Sequence, residues 1–409
     1  MILKKIVAVF IMFTFFLSGC ATHNQGSSMV GPPPSSSYAK ALKTESVVAT
    51  PILDVIIPVF DPGLPEDPSD DEDGNIWPEL RRAEANRFAY KLKEKLESTG
   101  QFGAVRVTPD KTASGDLYIL GRIEESNGEK VAIKIAVVDI SGKNWLNEFF
   151  EYEVSEGFHR DQRNHNLDPY DPLFEEAAAK IVEELNDHSL QELENLHYIT
   201  DLRFGANFSE STFMPYMETK RGILSLVSKP SDDDPMLQRV KAIRVRDQLF
   251  IDSLQDNYAS FSEQMNESYL MWQEQSLFEV HAEREARRKS IGQAIGAGLL
   301  IGLAILSGVS GSRSSSTGSS AAGATGAILG GIAGASLLSK SFKTSEEAKV
   351  HRESLNELGQ SVDMSLSPQV VAFEKETVEL TGNAKEQFEQ WREFLQRIYA
   401  EERTPDVQL

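Results

Sequence analysis

The sequence predicts an α+β domain, a mixed sheet with two helices, followed by a mostly α-helical C-terminal half containing a glycine-rich helical hairpin. Between residues 47 and 200, β-branched runs alternate with segments of helical period. After Pro235, no glycine or proline occurs before Gly292, which is typical of a long helix. Two segments without any charged side chain then follow, separated by a short polar turn.

Composition and charge narrow the class of protein. The chain has 409 residues, of which 40% are hydrophobic, which excludes a wholly disordered protein. A formal net charge of -21 argues against nucleic-acid binding, because that binding needs a basic surface. The single cysteine, Cys20, excludes an internal disulfide and any metal site of several cysteines. No cofactor and no metal are expected.

The N-terminus predicts export and lipid attachment. Residues 1–19 have the features of a signal peptide, with two lysines before the apolar run Ile6–Leu17. The following Leu-Ser-Gly-Cys resembles the lipobox of bacterial lipoproteins, which implies cleavage before Cys20, its acylation and attachment to membrane lipid. An ordinary secretory signal or an uncleaved helix is the alternative. Alanine and threonine follow Cys20, rather than an aspartate resembling an inner-membrane retention signal. We therefore expect the protein to be attached to the periplasmic face of the outer membrane.

Residues 20–46 contain runs of glycine, serine and proline, which predict a flexible tether carrying the lipid. The α+β domain is predicted over residues 47–200. Asp61–Asn75 has the density of Asp, Pro and Gly typical of a loop, and it lacks the spacing of an EF-hand calcium site. Asn127-Gly128 predicts the turn of a hairpin. The predicted strands are Val47–Phe60, Phe102–Val107, Asp116–Glu124, Lys130–Ile140 and Trp145–Val154, and the predicted helices are Pro78–Thr99 and Pro172–Glu194.

This order of elements resembles that of a lipoprotein superfamily. The segments that carry the resemblance are DVIIPVF, STGQF at a helix end, SGDLYILGRI and the DISGKNW turn. Together they resemble the domain shared by curli-secretion channel subunits and penicillin-binding-protein activators. The resemblance covers about 105 residues and implies a non-enzymatic domain that binds partner proteins or assembles into envelope complexes. The glutamates in Asn144–Ser155 argue against the membrane hairpins of the curli channel, because charges on a lipid-facing strand are costly.

The C-terminal half is predicted to consist of four parts. Residues 201–234 are expected to be a linker and residues 235–290 a long amphipathic helix. That helix carries a seven-residue apolar stripe from Phe250 to Trp272, which predicts packing on another helix. Residues 291–339 form the predicted hairpin, and residues 345–402 carry the C-terminal helices. One of these is expected to start at Ser367-Pro368 and to pack on the stripe.

The hairpin segments, Ile291–Val309 and Ala321–Ser339, are each 19 residues long, near the length that crosses a bilayer. Small residues recur in them at every fourth position, which lets helix backbones approach closely and predicts a homo-oligomer. A soluble hairpin packed under the other helices and a flexible linker are the alternatives. The predicted helix-packing residues are Ala294, Gly298, Gly302, Ala322, Gly326, Gly330 and Gly334.

No recognisable catalytic motif is present in the sequence. His159 and His165 are weak candidates for metal ligands, and no catalytic residue can be assigned. We expect a non-enzymatic outer-membrane lipoprotein that acts as a scaffold in an envelope complex with a partner protein not yet identified. A periplasmic regulator of peptidoglycan synthesis is the alternative, and a hydrolase of the envelope lacks a supporting motif.

Overall fold

A five-stranded mixed sheet forms the centre of the molecule, here described from a computed structural model. The structure describes residues 52–65, 76–307, 346–373 and 376–401. The strands are β1 Val55–Pro58, β2 Val105–Thr108, β3 Leu117–Ser126, β4 Lys130–Asp139 and β5 Asn144–Glu153, in the order β2-β1-β3-β4-β5. Strand β1 is parallel to both of its neighbours, whereas β3, β4 and β5 are antiparallel. The predicted mixed sheet is therefore confirmed.

Helix α1, Pro78–Thr99, connects β1 to β2 and covers one face of the sheet. It begins with proline in its first turn, and Gly100 ends it with a φ of 63°, a conformation that favours glycine. Strands β3 and β4 are joined through Gly128, whose φ is 88°. Both the helix and the hairpin agree with the sequence prediction. The strand expected at Val47–Phe60 is shorter, and residues 47–51 lie outside the described part.

Two helices replace the single one predicted over Pro172–Glu194. Helix α2 runs from Asp171 to Asn186, and α3 from Leu190 to Ala206. Ser189 starts the second helix because its hydroxyl accepts from the backbone N–H of Glu192, whose carboxylate accepts in return from the Ser189 N–H at 2.9 Å. This reciprocal cap ends the helical period that the sequence suggested across the break.

Regular structure also occurs within residues 201–234, expected to be a linker. The end of α3 is followed by the short helix α4, Glu210–Phe213. Strands β6, Met217–Lys220, and β7, Ile223–Leu226, then pair as an antiparallel hairpin. Its turn is Arg221-Gly222, both residues with positive φ.

Helix α5 runs without interruption from Pro235 to Ser307, 73 residues, and therefore extends past the expected boundary at residue 290. Helix α6, Glu346–Leu358, agrees with the expectation of helices within residues 345–402. The prediction that a helix starts at Ser367-Pro368 is wrong, because a hairpin occupies this position. Its strands are β8, Gln369–Phe373, and β9, Glu376–Leu380. Helix α7 starts only at Ala384 and ends at Glu401. Asn383 caps it, accepting from the Glu386 N–H at 2.9 Å.

A single hydrophobic core joins the sheet to the C-terminal helices. The described residues from Ile52 onward belong to one compact unit, and buried residues of β1, α1, α2, α5 and α7 belong to one cluster. Helix α5 packs on α1 and on strand β2. The C-terminal region is therefore mostly helical, as predicted, and it packs on the sheet as well as on other helices.

Candidate functional site

Helix α5 connects the folded core to the first glycine-rich segment, so its attachment to the core is the candidate functional feature. At about 1.5 Å per residue, a helix of this length spans on the order of 110 Å. Its buried residues begin at Leu237, and we call the stretch from Leu237 to Arg284 the attached part of α5. Three of its groups of contacts lie between Asp247 and Arg284. Each group uses a different part of the fold.

The first group joins α5 to α7. Asp247 is fully buried and accepts from Trp391 Nε1 at 3.2 Å and from Arg392 Nη1 at 3.1 Å. Phe250, one turn further along, stacks on the Trp391 ring with a centroid distance of 5.1 Å. Burial raises the pKa of Asp247, and the Arg392 charge and the Trp391 bond only partly offset this. The predicted packing of the apolar stripe on a C-terminal helix is confirmed by these contacts.

The second group is centred on the buried guanidinium of Arg87 in α1. Its Nη2 donates to Asp168 Oδ2 and to Asn266 Oδ1 of α5, both at 2.8 Å. Its Nη1 donates to the Ser262 carbonyl oxygen at 3.0 Å, and Gln273 of α5 donates to the other Asp168 oxygen at 3.1 Å. Burial alone would raise the pKa of Asp168, but the charges of Arg87 and Lys91 hold it below the usual value. One ion pair thus connects α1, the loop before α2 and α5.

Glu84 lies one turn earlier on α1 and is also completely buried. Its Oε1 accepts from the Tyr269 hydroxyl of α5 at 2.7 Å and from the Ser126 hydroxyl at the end of β3 at 2.6 Å. Burial raises the pKa of Glu84, and the nearby charge of Arg81 only partly offsets the rise. The Glu84 carboxyl group therefore connects α5 to strand β3 through two hydrogen bonds. Its burial makes protonation easier than in water.

The third group holds the last attached turns of α5 against the β3–β4 turn. A Cβ atom on Gly128 would lie 2.4 Å from the Ser276 Cβ, so only glycine permits this approach. Glu129 follows in the turn and accepts from both terminal nitrogens of Arg284, at 2.9 and 2.7 Å. His281 also faces Glu129, with its Nε2 3.4 Å from Oε1. This clamp lies directly before the first glycine-rich segment.

A cavity of about 360 Å³ opens beside this clamp. His159 and His281 line it, together with the largely exposed ring of Phe278, whereas His165 does not. Burial lowers the pKa of His159. The described part of the chain contains no group of three or more His, Cys, Asp or Glu side chains placed to hold a metal ion. The structure thus does not join His159 and His165 in a metal site.

The small residues predicted for helix packing are described only in part. Ala294, Gly298 and Gly302 lie on the helical backbone of α5. Cys20 and Ala321–Ser339, with the remaining predicted packing residues Ala322, Gly326, Gly330 and Gly334, lie outside the described residues. Among the helices that the structure describes, none has a segment both long and apolar enough to cross a membrane.

Sequence reasoning did not identify Arg87, Asp168 or Glu129 as attachment points for α5. A signal for Arg87 does exist, because it occupies a position within the apolar rhythm of α1, where a charge needs a buried partner. Nothing in the sequence indicates which carboxylate that partner is. Asp168 is 81 residues away in the chain, and only the fold brings the two together.

No family model, no curated protein and no solved structure matches this chain. The likeness to the curli-channel and activator lipoproteins, and the likeness to the lipobox, stay predictions from the residues quoted for them. Any functional conclusion consequently depends on the physical features of this molecule.

Proposed function

We propose that this protein is a lipid-anchored scaffold of the bacterial outer membrane that self-associates through its glycine-rich hairpin. The observation that carries the proposal is the continuity of α5, which passes from three groups of core contacts directly into Ala294, Gly298 and Gly302. A continuous helix transmits the orientation of the core to the segment that follows it. Association of the small-residue faces would therefore set a defined arrangement of cores.

The chain also returns to the core after the glycine-rich region. Helix α6 packs on α1 and α5, with Ser268 Oγ 2.9 Å from His351 Nδ1. Trp77 Nε1 donates to Asn356 Oδ1 at 2.9 Å, which holds the next turn. The region between Arg284 and Glu346 is therefore inserted between two elements that pack side by side.

Chain length is compatible with a helical hairpin in this insertion. From Ser268 to Ser307, α5 extends about 58 Å at 1.5 Å per residue. A returning helix from Ser307 to His351 would extend about 66 Å by the same rule, which leaves a few residues for a turn. Serine and glycine predominate between Val309 and Ala321, so a turn of a few residues can lie within that stretch.

Anchoring through Cys20 would keep the core near the membrane, because an N-terminal cysteine of the lipobox type carries more than one acyl chain and two or more give stable attachment. Residues 20–46 would act as the tether. Mass spectrometry of the mature N-terminus tests this part. We expect an acylated Cys20 as the first residue, and an unmodified Cys20 or a retained residue 1–19 segment would contradict the anchor.

Particle size in detergent tests the scaffold function. Gly330→Leu places a bulky side chain on the small-residue face, so we expect the oligomer to dissociate into smaller particles. Ser339→Leu is the matched control, because position 339 lies on the opposite side of an ideal helix from Gly330 and the change also adds a bulky side chain. Light scattering coupled to size exclusion measures both. Equal particle mass for wild type and Gly330→Leu, or equal loss in both variants, would refute association through this face.

A further inference from the structure

A second cavity, of about 410 Å³, shares no lining residue with the cavity beside the clamp. The loop between β2 and β3, the second half of α3 and helix α7 enclose it. Three cationic side chains line it, one from each of these segments: Lys111, Arg203 and Arg392. None of its lining residues is acidic, although acidic residues outnumber basic ones by 62 to 41 in the chain.

The three cations differ in how far they are already neutralised. Arg392 is held in place by the Asp247 carboxylate and by the Thr112 carbonyl oxygen. Arg203 donates Nη1 to the carbonyl oxygen of Ile140, and no carboxylate pairs with it within the described residues. Lys111 likewise has no ion-pair partner there. Two of the three cations that line this cavity therefore have no carboxylate paired with them among the described residues, and the nearest buried carboxylate, Asp116, is bonded to the lining residue Thr200.

The lining of the cavity also contains a polar group, the Tyr118 hydroxyl, which two hydrogen bonds hold in place. Tyr118 donates its hydroxyl to the Ala113 carbonyl at 2.9 Å and accepts from the Gly115 N–H at 3.2 Å. Burial raises the pKa of Tyr118, and the buried Asp116 carboxylate adds to the rise. The bond from the Gly115 N–H and the charges of Arg203 and Arg392 act against it, so both cations lie close enough to act on this hydroxyl. The lining also includes four apolar side chains: Phe204, Phe208, Ile140 and Leu395.

We propose that this cavity binds a small organic anion, with a carboxylate or phosphate group at the cations and an apolar group against the apolar side chains. Guanidinium and ammonium donors bind these oxyanions through charge-assisted hydrogen bonds. The volume lies within the range of about 300–1,000 Å³ that small-molecule sites show. This site is independent of the self-association proposed above, because none of its lining residues lies in the glycine-rich region.

Calorimetric titration of the full chain in phosphatidylcholine nanodiscs tests the proposal, with phenyl phosphate as the probe. We expect saturable binding by the wild type, weaker binding of inorganic phosphate, and no binding of benzyl alcohol. The double variant Lys111→Gln with Arg203→Gln should bind phenyl phosphate at least tenfold more weakly. The control Lys134→Gln with Arg163→Gln makes the same charge change at exposed positions away from the cavity and should bind normally.

Asn207→Trp provides a second variant, because it fills the cavity from the end of α3 without changing its charge, and it should also abolish binding. A thermal melt confirms that each variant is folded. Displacement of the probe by short-chain phosphatidylglycerol would support the site and assign its ligand to a lipid headgroup. If short-chain phosphatidylglycerol leaves the probe bound, the site is supported and its ligand is assigned to the soluble anions. Absence of saturable binding, equal affinity for inorganic phosphate, or equal affinity in the double variant and its control would overturn the proposal.

Discussion

Arg87 and Asp168 form an ion pair with almost no solvent contact, the two side chains being 1% and 4% exposed. Burying two charges costs free energy, and further hydrogen bonds to both terminal nitrogens of Arg87 and to Asp168 Oδ1 offset this cost, whereas Arg87 Nε has no partner among the described residues. The partners in these bonds come from α5, through Asn266, Ser262 and Gln273. The attachment of the long helix is thus set by single polar side chains within an apolar interface.

Replacing Asp168 with asparagine should destabilise the protein by about 3–5 kcal/mol, because it leaves the Arg87 charge buried without a counter-ion. Urea denaturation followed by circular dichroism measures the change. Asp161→Asn is the matched control, since Asp161 forms its ion pair with Arg163 on the surface. We expect it to be nearly neutral. A similar loss in both variants would show that the buried pair does not contribute more than an exposed one.

Glu84 should make stability depend on pH in the opposite sense to an ordinary carboxylate. Burial raises its folded pKa above the unfolded value of 4.5, so the protonated form is favoured on folding. This contribution is present at low pH and is lost as pH rises through the folded pKa. The free energy of unfolding of the native chain should therefore fall relative to Glu84→Gln as pH increases above about 4.5.

Urea denaturation of both proteins between pH 4 and pH 8 measures this difference. The glutamine keeps an oxygen that accepts from Tyr269 and Ser126, so the comparison isolates the titration of one carboxyl group. A constant difference across this range would mean that Glu84 has the same pKa in both states.

At the scale of elements, the helix ends of α1 and the apolar period of α5 were predicted correctly, whereas the break before α3 and the β8–β9 hairpin were not. Helix α1 agrees with its prediction at both ends because proline and glycine mark those ends through the backbone alone. The apolar stripe on α5 predicted helix packing because the buried face of a helix repeats its apolar residues about every three to four positions. The break before α3 was missed because the cap at Ser189 lies within a continuous helical pattern. The β8–β9 hairpin was missed because its strands pair with each other and not with the main sheet.

Phe250 shows how strongly the α5–α7 interface depends on this face. Phe250→Ala removes a ring that is 5% exposed and that stacks on Trp391, so it should cost about 3–5 kcal/mol. The adjacent Leu249 is 62% exposed, and Leu249→Ala should change stability by less than about 0.5 kcal/mol. Thermal and urea unfolding of the two variants check the difference. Equal costs would place the interface on the other face of α5.

The whole molecule has one core into which the glycine-rich region is inserted. Strands and helices before this region pack directly against α6 and α7, which follow it. Phe388 and Trp391 of α7 are among the largest fully or almost fully buried side chains in the described residues. Folding therefore requires the chain on both sides of the insertion, whereas the insertion itself supplies none of the core residues that the structure describes.

Replacing residues 291–339 with a Gly-Ser linker of about ten residues should leave the core folded, because both attachment points remain. We expect its free energy of unfolding to change by no more than about 1 kcal/mol, since loop-closure entropy varies slowly with length. The particle mass should fall to that of a single chain if the glycine-rich region drives association. Ending the chain at Ser290 is the contrasting variant, because it also removes α6 and α7. This truncated chain should not fold, so its urea denaturation should show no cooperative transition. If the linker variant failed to fold as well, the inserted region would belong to the core, and its role could not be restricted to association.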